Sequence, residues 1–265
     1  MNVSLSSFLR NIQKQLDLIM DMYTYYSFYI TCAFLVTTGT ITFIEALRTP
    51  IAPMRHILNL ETCISIVAAY FYGKFVSMLE PVKREIVDGR DEDEGNKDNK
   101  DNKDKSKMLE KLQHEINDTR YVDWMITTPI MLLVLVLAFQ YNSGAKNGIR
   151  FMDYVVILAL NYGMLGTGYL GEHEVIQKPL ANMVGFGFFG LMYGFLYYKY
   201  LMKTKNGNNA NNQLLFAVFF ILWAFYGIFY LMKESLKNTG YNVLDLFSKC
   251  FVGIYFWSYS SNIFQ

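Results

Sequence analysis

Seven apolar stretches, each long enough to cross a lipid bilayer, leave this chain few ways to fold. A run of about 20 apolar residues reads as a membrane-spanning helix, because a helix satisfies its backbone polar groups without water. The stretches cover about 25–47, 54–79, 119–140, 151–171, 178–201, 212–232 and 240–258, and only the 80–118 connection is long. Of the 265 residues 52% are hydrophobic, and the formal net charge of +1 hides charges gathered between the runs. The expected fold is an all-α membrane protein, a seven-transmembrane helix bundle, integral and multi-pass.

Residues 1–24 place Phe8, Leu9, Ile12, Leu16, Ile19 and Met20 at helical spacing, which predicts an amphipathic helix lying on the membrane surface. No cleavable leader is expected, since 1–22 lack a short apolar core followed by a small-residue cleavage site. Spans one and two fill 25–79. The 80–118 insert carries an Asn-Lys-Asp repeat from Asn96. Such a composition cannot bury a core, so its middle is expected to be disordered, with helix toward 109–116. The remaining spans fill 119–259, leaving 260–265 as a short tail. Cys32, Cys63 and Cys250 all lie inside apolar runs and read as small buried hydrophobes.

Loop charges set the expected orientation. Arg48 and Arg55 follow span one, Lys146 and Arg150 follow span three, and Lys199, Lys203 and Lys205 follow span five, with no acid between them. The 80–118 insert holds thirteen acidic against nine basic residues. Positive loops face the cytoplasm, which places the N-terminus and the insert outside and the C-terminus inside.

The last span carries one acid and one base, Asp245 and Lys249. At that spacing both lie on one helix face, a turn apart, and charges inside a span are costly and usually functional. An intrahelical ion pair accounts for them. So does a lysine whose desolvated amine condenses with an aldehyde, with a carboxylate beside the resulting Schiff base. Span three opens with Arg120-Tyr-Val-Asp123-Trp124-Met-Ile-Thr127-Thr128-Pro129. Arg120 and Asp123 share a face, with Thr127 one turn deeper, and Asp123 and Asp245 are the partners expected for Arg120. Two acids, one arginine and one lysine would form a nearly neutral buried cluster.

The Arg-Tyr-x-Asp-Trp-x-x-Thr-Thr-Pro stretch and the Asp-x-x-x-Lys of the last span together resemble the microbial (type 1) rhodopsins. Asn161-Tyr-Gly-Met164-Leu-Gly166-Thr167-Gly168 is similar to the family's fourth-helix stretch beside the retinal ring. Trp223-Ala-Phe-Tyr226 is similar to its sixth-helix Trp-x-x-Tyr, with Gly227 where a Pro is usual. The resemblance implies all-trans retinal covalently bound to Lys249. It implies Asp123 as primary counterion and proton acceptor, Asp245 as the second acid, and Arg120 orienting a water cluster outside them. Trp124 and Trp223 would sandwich the polyene, with Met164 and Gly168 near the ring and Thr128 and Tyr226 on the pocket wall. Ordinary core packing would account equally for Trp124, Trp223 and Met164 taken alone. The aromatic residues Phe186, Phe188, Phe189 and Phe225 suit either a slot for a planar chromophore or a lipid-facing surface.

Asp123, Thr127 and Val134, spaced along span three, bear on the mode of transport. An acid at 123 excludes the family's chloride-pump pattern, and Val134 stands where a typical proton pump has a carboxylate that returns the proton. Glu61 lies inside span two near Asn59, Thr62 and Ser65. A lone carboxylate there marks an ion path or a gate; a neutral buried carboxyl, or pairing with Arg55 or His56, accounts for it too. The algal channelrhodopsins match poorly, since they carry several glutamates on the second helix and a Cys–Asp pair where Thr128 and Asn161 stand here. The sequence resembles instead the rhodopsins of large DNA viruses of protists, some of them light-gated cation channels and others proton pumps. That implies residence in the plasma membrane or another membrane of a host cell. The leading expectation is a light-gated cation channel for monovalent ions, with the Schiff-base proton passing to Asp123 and a path opening near Glu61. An outward proton pump through the same residues is the alternative, and a photosensory receptor with a partner protein comes third. Either way the protein is expected to be an ion transporter rather than an enzyme, with membrane lipid and monovalent cations or protons as partners. Neither nucleic acid nor a metal centre is expected, and a symmetric homo-oligomer is left open.

Overall fold

The computed structural model describes the backbone of residues 5–88, 99–145 and 148–261, and the side chains of 22–80, 111–145 and 148–261. Every described element is helical: α1 (Leu5–Arg48), α2 (Ala52–Asp88), α3 (Asn99–Ser143), α4 (Phe151–Glu172), α5 (Lys178–Leu196), α6 (Ala210–Tyr230), α7 (Glu234–Asp245) and α8 (Val252–Ser260). A π-helical turn, Tyr197–Met202, prolongs α5. A second, Leu246–Phe251, joins α7 to α8, and helical φ/ψ values at Leu246 and Val252 make the three segments one rod. Seven rods therefore stand among the described residues.

Local chemistry sets their ends. α1 stops two residues before Pro50, whose ring disfavours the helical region for Thr49. Asn209 caps α6, its side chain accepting from Asn212 N, which satisfies one orphan donor of the first turn. Pro129 sits inside α3 and has no N–H to give the carbonyl of Met125. Tyr162 of α4 donates its hydroxyl to that carbonyl at 3.2 Å, so the two helices are tied at the point where one lacks a bond.

The rods run further than the apolar stretches suggest. α1 has no break near residue 24 and spans 44 residues, so the segment expected to lie on the membrane surface is the first part of the same helix. α2 and α3 enter the 80–118 stretch from both sides, to Asp88 and from Asn99. Its expected disordered middle falls on 89–98, outside the described residues.

Burial is inverted relative to a protein in water. Asp123 and Asp245 are 0% exposed and Arg120 and Lys249 1%, while Leu47 is 72% exposed and Met183 67%. Charges inside and large apolar groups outside suit a solvent of lipid. Six of the rods are long and apolar enough to cross a membrane by composition and length; the seventh is the α7–α8 rod. The cysteine expectation needs correcting: Cys250 is buried, Cys32 is intermediate and Cys63 is exposed. Cys63 lies within an apolar span on its outer side, where the neighbouring medium is apolar as well.

Candidate functional site

The α7–α8 rod supplies one polar line in an apolar wall: Asn238, Asn242, Asp245 and Lys249, all buried. The π-helical turn contains Lys249. Such turns replace i→i+4 bonding by i→i+5 and recur at functional sites. Lys249 Nζ donates to Asp123 Oδ2 of α3 at 2.8 Å and to Asp245 Oδ2 at 3.2 Å. The other donors to Asp245 are the hydroxyls of Tyr72, at 2.8 Å, and Tyr226. An ammonium between two carboxylates is the charge balance that makes ionic groups tolerable in a dry interior.

Arg120 takes partners other than the expected acids. It forms no ion pair with Asp123 or Asp245 among the described residues; its Nη2 donates to Asn242 Oδ1 at 3.0 Å and Asn238 Oδ1 at 3.2 Å, and Nη1 reaches Tyr72 at 3.5 Å. The rings of Phe28, Phe75 and Tyr241 surround its guanidinium at 5.0–5.4 Å. It reaches Asp245 through the Tyr72 hydroxyl. Arg120 Nε and Asp123 Oδ1 are buried without a partner, and orphan pairs of this kind are what buried water satisfies. Thr127 bonds the backbone carbonyl of Asp123 rather than its carboxylate, at 2.8 Å.

A cavity of about 770 Å³, its mouth included, opens from Lys249 toward α5 and α6. Trp124, Thr128, Met164, Gly168, Trp223 and Tyr226 all line it, as do Tyr121, Leu165, Phe186, Phe189 and Tyr241. Thr128 joins α3 to α4 by accepting from Asn161 Nδ2 at 2.8 Å. Gly168 leaves room for the Tyr121 hydroxyl, which would stand 2.7 Å from a Cβ there. Phe225 is turned outward, 43% exposed. An apolar aromatic slot ending at an amine beside two carboxylates fits a long planar aldehyde. Tyr72, Asn238, Asn242, Tyr121 and Tyr241 were missed in the sequence. For three of them the signal was available, since 238, 242, 245 and 249 repeat at helical spacing and Tyr241 lies beside them.

Glu61 lies on the far side of Lys249 from Arg120. It is 1% exposed, and its Oε2 has no partner. A Cβ at Gly253, one turn past Lys249, would stand 3.4 Å from that oxygen and 2.7 Å from Thr38 Cγ2. Thr38 Oγ1 and Ser65 Oγ are also buried and unpartnered, while Thr42 and Thr62 bond each other at 2.9 Å. His56 and Asn59 are exposed, and Arg55 donates to the Thr49 carbonyl at 2.9 Å. Val134 is fully buried in the apolar core with Leu135 and Phe139.

The family profile for bacteriorhodopsin-like proteins matches residues 23–263. Among solved structures, viral rhodopsin OLPVRII is 52% identical, covering 91% of this chain and 99% of its own, with a TM-score of 0.74. Blue light-absorbing proteorhodopsin from Med12 is 18% identical over 91% of this chain and 98% of its own, TM-score 0.62. Xanthorhodopsin, described as a light-driven ion pump with dual chromophore, is 16% identical over 92% and 94%, TM-score 0.65. At such identities these two speak for the fold alone. Comparison with curated protein sequences returns no match. By profile and by its likeness to a viral member, the chain belongs to the bacteriorhodopsin-like family, the microbial rhodopsins.

Proposed function

We propose that this protein is a light-driven proton transporter, moving a proton from the Glu61 side of Lys249 to the Asp123 side. The observation that carries the reading is a carboxylate bonded to the buried amine on one side and a second, unpartnered carboxyl buried about a turn beyond it on the other. Asp123 is bonded to Lys249 Nζ at 2.8 Å, and Glu61 sits across Gly253 on the opposite side. Retinal, the family's chromophore, supplies the light-driven change of shape when all-trans retinal is covalently bound to Lys249. Trp124, Trp223, Met164, Gly168, Thr128 and Tyr226, which line the slot, would hold it there. Asp123 accepts the proton leaving Lys249 Nζ, because it is the nearer acid and has one oxygen free of partners. Asp245, held by two tyrosine hydroxyls, stays charged and keeps the site neutral with Arg120. Glu61 returns a proton to Lys249, a step that Val134 cannot perform. With the N-terminus outside, the direction is outward.

A light-gated cation channel is the second reading. It is favoured by the unpartnered oxygens of Thr38, Glu61 and Ser65 along the α1–α2 interface, which offer oxygen ligands to a hydrated ion. Whole-cell voltage clamp under illumination separates the two. A photocurrent that stays outward at every accessible voltage supports transport by pumping. One that reverses and follows the sodium or potassium gradient rejects it and favours the channel. Glu61→Gln is expected to slow recovery of the dark absorbance at least tenfold, since its side chain no longer titrates. An unchanged recovery would remove Glu61 from the path.

A further inference from the structure

A second ion cluster, with Lys237 and Glu172 buried and Lys178 and Glu234 partly exposed, lies at the Arg120 end of the bundle, outside the chromophore site. Lys237 is 1% exposed and donates to Glu172 of α4 and, at 2.7 Å, to Glu234. Lys178 approaches the same two acids at 3.2 and 3.5 Å. Two lysines thus balance two carboxylates. Asn117 of α3 also donates to Glu172, at 2.8 Å, and to Glu234, at 3.4 Å.

Asn117 stands one turn before Arg120 on α3, and Lys237 adjoins Asn238, which accepts from Arg120. The cluster therefore forms the next polar layer outward from the arginine, between α3 and α7. We infer that Lys237 is a specificity-determining residue: a buried cation that closes this end to metal ions while leaving it open to protons. The inference rests on the proton-transport reading above. A metal cation arriving from the Arg120 side meets a like charge, and the carboxylate oxygens that would bind it are already held by ammonium and amide donors. It must displace a lysine to pass. A proton needs only exchange along hydrogen bonds. A second polar run leads from Asn242 to Ser27 at 2.8 Å, with Thr24 bonded to Thr239 at 2.8 Å and Ser235 at 2.9 Å. Among the described residues that run is built of hydroxyls and one amide. Fixed charges in a narrow passage set ion selectivity in the same manner.

The test is the photocurrent at fixed pH with external and internal sodium exchanged for a large organic cation. Wild type and Lys237→Arg are expected to give currents indifferent to sodium. Lys237→Met is expected to give a current whose reversal follows the sodium gradient. A Lys237→Met current that remains indifferent to sodium overturns the inference and leaves the transport reading standing. Visible absorbance after addition of retinal reports whether the variant folds. If Lys237→Met does not fold, the charge-balanced Glu172→Gln/Lys237→Met pair carries the same two outcomes. Sodium-dependent reversal in wild type, with Lys237 in place, rejects the transport reading and the barrier together, and it needs no substitution to be seen.

Discussion

At the scale of single residues, the site is a problem of charge held out of water. Lys249 stands between Asp123 and Asp245, all three at most 1% exposed. Removing one partner of such a group leaves uncompensated charge worth about 3–5 kcal/mol. Lys249→Ala is therefore expected to lower thermal stability and to give no visible absorbance with added all-trans retinal; a retained visible band would reject Lys249 as the attachment point. Tyr72 is the less obvious member, since its hydroxyl serves Asp245 and accepts from Arg120. A hydrogen bond to a charged group contributes about 1.5–3 kcal/mol, so Tyr72→Phe is expected to lower Tm by several degrees and to shift the visible maximum. Melting followed at the visible band measures both, and no change in either would mean that Asp245 is held well enough by Tyr226 and Lys249. The lysine and both acids were legible in the sequence because their spacing puts them on facing stripes. The partners of Arg120 were not. Spacing gave it Asp123 three residues away, whereas tertiary packing of α7 against α3 offered two asparagine amides closer to its reach.

The elements show where periodicity stops being informative. All seven rods could be read as apolar runs of the right length, although the α7–α8 rod is not among the six that pass on length and composition in the structure. The π-helical turn that carries Lys249, Leu246–Phe251, left no trace in the apolar periodicity. Helix over 109–116 was expected and lies within α3, whereas the run of α2 on to Asp88 and the start of α3 at Asn99 were hidden by charge, which describes contact with water and not backbone order. Close approach of elements was equally silent. Gly253 lets α8 meet α1, with Thr38 Cγ2 only 2.7 Å from where a Cβ would stand. Crowding of this kind in a well-packed interior costs about 1–3 kcal/mol. Gly253→Ala is thus expected to lower Tm by a few degrees and, by displacing Thr38 beside Glu61, to change the rate at which the dark absorbance recovers. Flash spectroscopy reads the second effect. A variant with reduced Tm and an untouched recovery rate would show that this contact supports the bundle and not the Glu61 path.

The whole molecule has a direction, and the direction decides what proton transport through it accomplishes. The bundle's two ends differ in kind: one holds the layered Arg120 and Lys237 clusters, the other the buried carboxyls of Glu61 and Glu45 below loops rich in lysine and arginine. If those basic loops face the cytoplasm, as the positive-inside rule requires, a proton leaving toward Arg120 leaves the cell. Were the bundle inserted the other way, the same residues would carry the proton inward. Orientation can be measured without light. A cysteine at Glu174, in the turn between α4 and α5, is expected to react with a membrane-impermeant maleimide on intact cells. A cysteine at Lys205, in the turn before α6, is expected to react only after the cells are opened. Cys250 is buried, and Cys32 and Cys63 lie inside the apolar spans of α1 and α2, so the wild-type background should stay low. The reverse labelling pattern would overturn the orientation and, with the site unchanged, turn the predicted outward current into an inward one.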